Sequence, residues 1–195
     1  MEKNCRNSTL ELARILSILG IIMMHSTGSF FANISSKGIN CLILIILNDL
    51  GNISVSLFAL ITGYYGVKNI IKKGIALHQK LFLFSLISFV GISILDHTHI
   101  TIPNTLRVMF PVVGMKYWYA TCYFYLLILS PFLNIAIEKM DTTSFFLMNM
   151  VLLFILSIIP TVFFPFPDTM KDGGKGLAWL TFCYIWGGGA TEDEC

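Results

Sequence analysis

The chain has 195 residues, of which 55% are hydrophobic and 12% charged, with a formal net charge of +2 and a mean hydropathy of +0.76. A soluble domain is nearer a quarter charged, so the composition excludes water as the solvent for most of this surface. So small a net charge gives no ground for a nucleic-acid partner. The fold class it predicts is all-α, a polytopic transmembrane helical bundle of about six spans.

A membrane-spanning helix needs roughly 20 mostly apolar residues. The first such segment runs from about Leu10 to Phe31. Its core, Ile15–Met24, has the length of a signal-peptide h-region, but no small-residue cleavage site follows it and further spans do. The second covers about Cys41 to Val67 and is interrupted by the polar residues Asn48, Asp49 and Asn52. The third is about Leu81 to Leu95, and the fourth about Tyr117 to Ile137. The fifth is about Ser144 to Phe164, with a kink expected near Pro160. The sixth, about Gly176 to Gly189, is short. Residues 1–189 are read as the membrane domain and 190–195 as an acidic C-terminal tail.

Lysine and arginine in short loops set orientation. Lys3 and Arg6 precede the first span, and Lys68, Lys72, Lys73 and Lys80 lie between the second and third, against Lys37 alone between the first and second. The expectation is a multi-pass protein of the plasma (inner) membrane with a cytoplasmic N-terminus. Arg107, Lys116, Lys171 and Lys175 fall in loops that then face outward, so only the first half obeys the rule. The five cysteines, Cys5, Cys41, Cys122, Cys183 and Cys195, stand singly, with no metal-binding spacing. An odd count in a membrane setting argues against a disulfide framework.

Arg14 and His25 both lie in the first span. An ionisable group there is costly and marks a functional site by default. Eleven residues make three turns plus about 20°, so the two share a face, about 16 Å apart along the axis. Glu11 stands one turn before Arg14, where an ion pair at i,i+3 offsets part of the burial cost. On spacing alone two readings stay open. In one, Arg14 snorkels to the interface and His25 marks the outer helix end. In the other, Arg14 holds a phosphate with its donor fork and His25 takes a proton from a hydroxyl or thiol. An acyl-coenzyme A laid along this face then sets phosphate by Arg14 and thioester by His25.

Three stretches carry a family resemblance. Arg14 and His25, separated by ten residues, match the Arg-x10-His signature in the first helix of acyltransferase family 3, the membrane O-acyltransferases of bacterial surface polysaccharides and peptidoglycan. Residues 52–65, NISVSLFALITGYY, resemble the family's second-helix segment, with Thr62 in place of a serine. Residues 117–134, YWYATCYFYLLILSPFLN, resemble its Tyr-Trp…Ser-Pro-x-Leu-Asn segment. Arg107–Pro111 and Gly173–Tyr184 are similar more weakly. The likeness covers about Leu10 to Trp186. Family members usually have about ten spans, so residues 1–189 look like a partial family domain, and a truncation, frameshift or appended tail is one expectation for the ending.

The resemblance implies a membrane O-acyltransferase, in the first instance an acetyltransferase, with no tightly bound cofactor. Acetyl-CoA or another acyl-CoA is the implied donor substrate, and a sugar hydroxyl of a cell-surface glycan or its lipid-linked precursor is the acceptor. His25 and Arg14 are the implied catalytic pair, with Glu11, Thr62, Trp118, Tyr119 and Tyr123 as substrate-binding candidates and no metal. Membrane lipid is an expected partner, and a homo-oligomer is left open. The plainer reading takes Thr62-Gly63 as a helix-packing face and Trp118, Tyr119, Tyr123 and Tyr125 as an interfacial belt. Ser130-Pro131 and Asn134 are expected to bend the fourth helix and cap its end. Asp96, His97 and His99 form a polar cluster short of a full ligand set, and Asp49 faces either an aqueous cavity or the Arg14 face. Two alternatives complete the reading: an inactive remnant or non-enzymatic membrane subunit, suggested by the missing second half, and a small transporter, suggested by the broken second span. A transporter predicts an inverted repeat, and none is visible.

Overall fold

The computed structural model describes residues 8–31, 38–95, 101–114, 117–162 and 176–190. They form α1 (Ser8–Phe31), α2 (Ile39–Tyr65), α3 (Ile70–Leu95), α4 (Ile102–Met109), α5 (Trp118–Lys139) and α6 (Thr142–Leu153). A π-helical turn, Phe154–Ile158, leads into α7 (Ile159–Val162), and α8 spans Leu177–Gly189. No strand occurs among the described residues. Five stretches are long and apolar enough to cross a membrane: Ser8–Thr27, Ile39–Tyr65, Ile70–Leu95, Trp118–Lys139 and Thr142–Val162. The protein is therefore an all-helical membrane protein. Large apolar side chains on its outer faces, among them Leu12, Ile15 and Leu19 of α1 and Phe84 and Ile87 of α3, are exposed, as expected where lipid tails are the solvent.

The sixth predicted segment folds as α8, whose 13 residues reach about 20 Å, short of a hydrocarbon core of about 30 Å. The third span starts well before its predicted boundary, because α3 takes in Lys72, Lys73, His78, Gln79 and Lys80. Lysine and glutamine are good helix formers, and lysine stems lie along an apolar surface while the ammonium groups leave it. The loop before the fourth span contains a helix, α4, started by Thr101, whose Oγ1 accepts the Asn104 N–H at 3.4 Å, and by a proline in its first turn.

Two prolines are accommodated differently. Pro131 lies inside α5 and cannot donate to the Leu127 carbonyl. The Ser130 hydroxyl donates to that same carbonyl at 2.8 Å, which satisfies it where no water is present. Before Pro160 the helix widens instead. The Ile159 N–H reaches back five residues to the Phe154 carbonyl, a π turn of the kind that absorbs a local break. The winding thus changes just ahead of the proline, at the kind of site where helices kink.

The contacts divide the chain into two compact units, residues 1–66 with 134–195, and residues 67–133. In the first, α1 and α2 form an antiparallel hairpin. α8 runs parallel to α2, with Trp179 on Ser56 and Tyr184 on Gly63. A Cβ on Gly63 would overlap the Tyr184 carbonyl oxygen, and one on Gly187 would overlap that of Leu60, so the two glycines allow backbone-to-backbone contact. Asn134 does not cap α5, which runs on to Lys139. Its Oδ1 accepts the Tyr184 hydroxyl at 2.8 Å and ties the end of α5 to α8. Asp141 caps α6 by accepting the Ser144 N–H at 3.0 Å, and hydrogen bonds from Ser144 hold its carboxyl below the usual value. In the second unit, the Thr121 hydroxyl donates to the Val112 carbonyl at 3.0 Å and pins the start of α5 to the segment after α4.

Candidate active site

Three contacts fix the register of the α1–α2 hairpin. Arg14 lies on Phe58, Gly20 meets Ser54, and Met24 meets Gly51. Each advance along α1 is matched by a retreat along α2. The buried stripe of α1 is Ser17, Ile21, Met24 and Thr27, spaced at three and four residues as one helix face demands. Gly51 leaves room for Met24, since a Cβ there would overlap the Met24 side chain. The hydroxyls inside this stripe are satisfied within their own helix. Ser17 donates to the Ala13 carbonyl at 2.8 Å, and Thr27 to Met23 at 3.0 Å.

Arg14 is half-buried on the flank of that stripe. Its guanidinium carbon stands 5.5 Å from the centre of the Phe58 ring. A planar, weakly hydrated cation on an aromatic face is a stable arrangement in low dielectric. Thr62, one turn further along α2, is buried and donates its hydroxyl to the Phe58 carbonyl at 2.7 Å. Arg14 and Thr62 therefore converge on one residue, and the register carries Glu11, which is half-buried, to the level of Thr62. Thr62 spends its proton on its own helix and keeps only acceptor capacity.

His25 is exposed, three turns beyond Arg14 on the same flank. Extending the register past the Met24–Gly51 contact brings it level with Asn48, Asp49 and Asn52. The polar break in the second span thus lies at the depth of the imidazole. Asp49 is exposed, while Asn48 and Asn52 are half-buried. The Asn52 Oδ1 is buried with no hydrogen-bond partner. An amide oxygen in that state is costly in an apolar setting.

The remaining candidates belong to the second unit. Trp118 and Tyr119 meet edge to face at 5.9 Å, and Tyr119 stacks on Tyr123 at 6.3 Å. All three are half-buried and form one aromatic row along the first turns of α5. The structure thus joins Arg14 with Thr62, and separately Trp118 with Tyr119 and Tyr123. Asp96, His97 and His99 lie outside the described residues. Among the described residues no group of three or more His, Cys, Asp or Glu is placed to hold a metal.

Two participants were not singled out from the sequence. Phe58, the seat of the Arg14 guanidinium, read as one apolar residue among many in the second span. Its signal is the spacing, four residues before Thr62. Asn52 was visible only as part of a polar interruption, and the orphaned oxygen needs the packing around it to be seen.

Arg14, seated on an aromatic ring of the next helix, and the exposed His25 share one flank of a helix in a membrane protein. A family model describing an acyltransferase domain, that of acyltransferase family 3, matches residues 7–191. The chain belongs to this family, and membrane acyltransferase is the class it suggests. No curated protein matches the chain, and no solved structure does.

Proposed function

We propose that the protein moves an acyl group, acetyl in the first instance, from acyl-coenzyme A to a sugar hydroxyl of a cell-surface glycan or its lipid-linked precursor. Arg14 binds a donor phosphate by its guanidinium fork, aligned by the Phe58 ring beneath it. His25 accepts the proton of the sugar hydroxyl as that oxygen attacks the thioester carbonyl. The carbon–sulfur bond breaks, and coenzyme A thiolate leaves and takes up the proton. Asn52 and Thr62 supply acceptors to orient hydroxyl or amide donors of the two substrates, and Glu11 keeps the charge near Arg14 balanced. The aromatic row Trp118, Tyr119 and Tyr123 belongs to the other unit and is proposed separately, by family resemblance alone, as a face for sugar or acyl contact. The N-terminus is cytoplasmic on this reading, so the donor enters from the Arg14 end of the plasma membrane.

The observation that carries the proposal is the pairing of level and face. A cation seated on Phe58 and an exposed imidazole lie on one flank of α1, and the imidazole is at the depth of an unpartnered amide oxygen. The test is transfer of labelled acetyl from acetyl-coenzyme A to a glycan acceptor in membranes containing His25→Ala. Transfer is expected to be lost with membrane insertion intact, while Arg14→Ala raises the donor KM. Full transfer by His25→Ala removes the imidazole from the chemistry.

A further inference from the structure

An open cavity of about 410 Å³ lies in the first unit between α2, α6 and α8. Leu57 and Leu60 form one wall, Leu153 another, and Trp179, Phe182 and Trp186 a third. The three aromatics recur at helical spacing, with ring centres 5.3 Å and 5.9 Å apart. Gly63 and Gly187 hold α2 and α8 in backbone contact. Near the start of α8, the Trp179 indole donates to Ser56 Oγ at 2.8 Å.

The chemistry of the occupant follows from the walls. Ser56 accepts from Trp179 and gives its own proton to the Asn52 carbonyl at 3.4 Å. The strong donors of the lining, the Trp179 N–H and the Ser56 hydroxyl, are thus paired within the protein, and the rest of the wall is apolar side chains and the Cys183 thiol. The helices α2 and α6 lie in membrane-spanning stretches, so the mouth beside the half-exposed Leu57 and Trp186 opens on acyl chains. The volume is that of a small-ligand pocket.

We infer that this cavity is a binding site for one acyl chain of a membrane phospholipid. It is separate from the Arg14–His25 flank, because Ser56 and Leu60 point about 160–200° around α2 from Phe58. The inference therefore stands or falls independently of the acyl-transfer reading. The gain over bulk lipid is dispersion and shape, since burial from lipid carries no hydrophobic term.

The test uses the full chain in phosphatidylcholine vesicles containing a trace of phosphatidylcholine with a diazirine midway along one acyl chain. After irradiation, adducts mapped by mass spectrometry are expected on Leu57, Leu153 and Trp179, roughly fivefold above those on the exposed α1 residues Leu12, Ile15 and Leu19. Leu153→Trp fills the cavity from α6 and is expected to remove that excess while α1 labelling stays constant. Leu57→Phe makes the same test from α2 if the tryptophan variant fails to insert. Labelling spread evenly over all lipid-facing helices overturns the inference. So does an excess that survives both substitutions, or crosslinking of a second protein copy through Leu57 or Trp186.

Discussion

Replacing Gly63 by alanine adds one methyl group where α2 and α8 have no space for it. Its Cβ would overlap the Tyr184 carbonyl oxygen and lie 2.8 Å from the carbonyl carbon and 3.0 Å from the Cα. These are backbone atoms and cannot swing aside, so the two helices must part. Overpacking of this kind costs about 1–3 kcal/mol. Parting the helices also strains the 2.8 Å bond from Tyr184 to Asn134, worth about 1 kcal/mol. The expected loss is roughly 2–4 kcal/mol, against a gain of less than about 1 kcal/mol from the better helix propensity of alanine. Gly187→Ala should cost a similar amount, and the double variant less than the sum because both relax one contact. Gly91, with nothing within 4 Å of its would-be Cβ, is the control, and Gly91→Ala should be neutral or stabilising. Reversible unfolding in mixed micelles, followed by the environment of Trp179 and Trp186, measures all four. If Gly63→Ala is no less stable than Gly91→Ala, the close packing of α2 on α8 is wrong.

Ser130→Ala leaves the Leu127 carbonyl without a donor and should destabilise by about 1–3 kcal/mol. Adding Pro131→Ala supplies a backbone N–H to the same carbonyl and should restore most of the loss in the same unfolding assay, whereas no rescue would separate the serine from the proline. Phe58→Leu removes the ring under Arg14 and should cost about 0.5–2 kcal/mol, with a higher donor KM and little change in kcat; an unchanged KM argues against donor binding at Arg14. Asp141 has its carboxyl held down in the folded state. Its contribution is therefore complete above the unfolded value near 3.9 and fades as pH falls through the lower folded value. Asp141→Asn should flatten that acid limb in a pH series of unfolding midpoints, and an unchanged limb would show that the cap does not titrate.

Composition and segment length were sufficient for the membrane class and for the existence of each long helix, while the family resemblance rested on the motifs at Arg14–His25, residues 52–65 and residues 117–134. These are local properties: about 20 apolar residues cross a bilayer whatever they pack against, and a cation and an imidazole eleven residues apart share a face in any α-helix. Helix ends were less legible, since α3 runs through its lysines and α4 forms in an assigned loop. Both depend on where the interface lies rather than on apolar runs.

Partnership between helices was decided by tertiary structure. Nothing local says that Phe58 lies under Arg14, that the Asn48–Asn52 break is level with His25, or that Asn134 receives Tyr184 from 50 residues away. Those follow from the register of one helix on another, which the close approaches at Gly51, Gly63 and Gly187 set. In hydrocarbon, helices gain nothing by hiding apolar surface from lipid. Sequence hydrophobicity therefore points each segment into the membrane but leaves its neighbour, and the face it turns to that neighbour, to shape and to the few polar groups that must be paired.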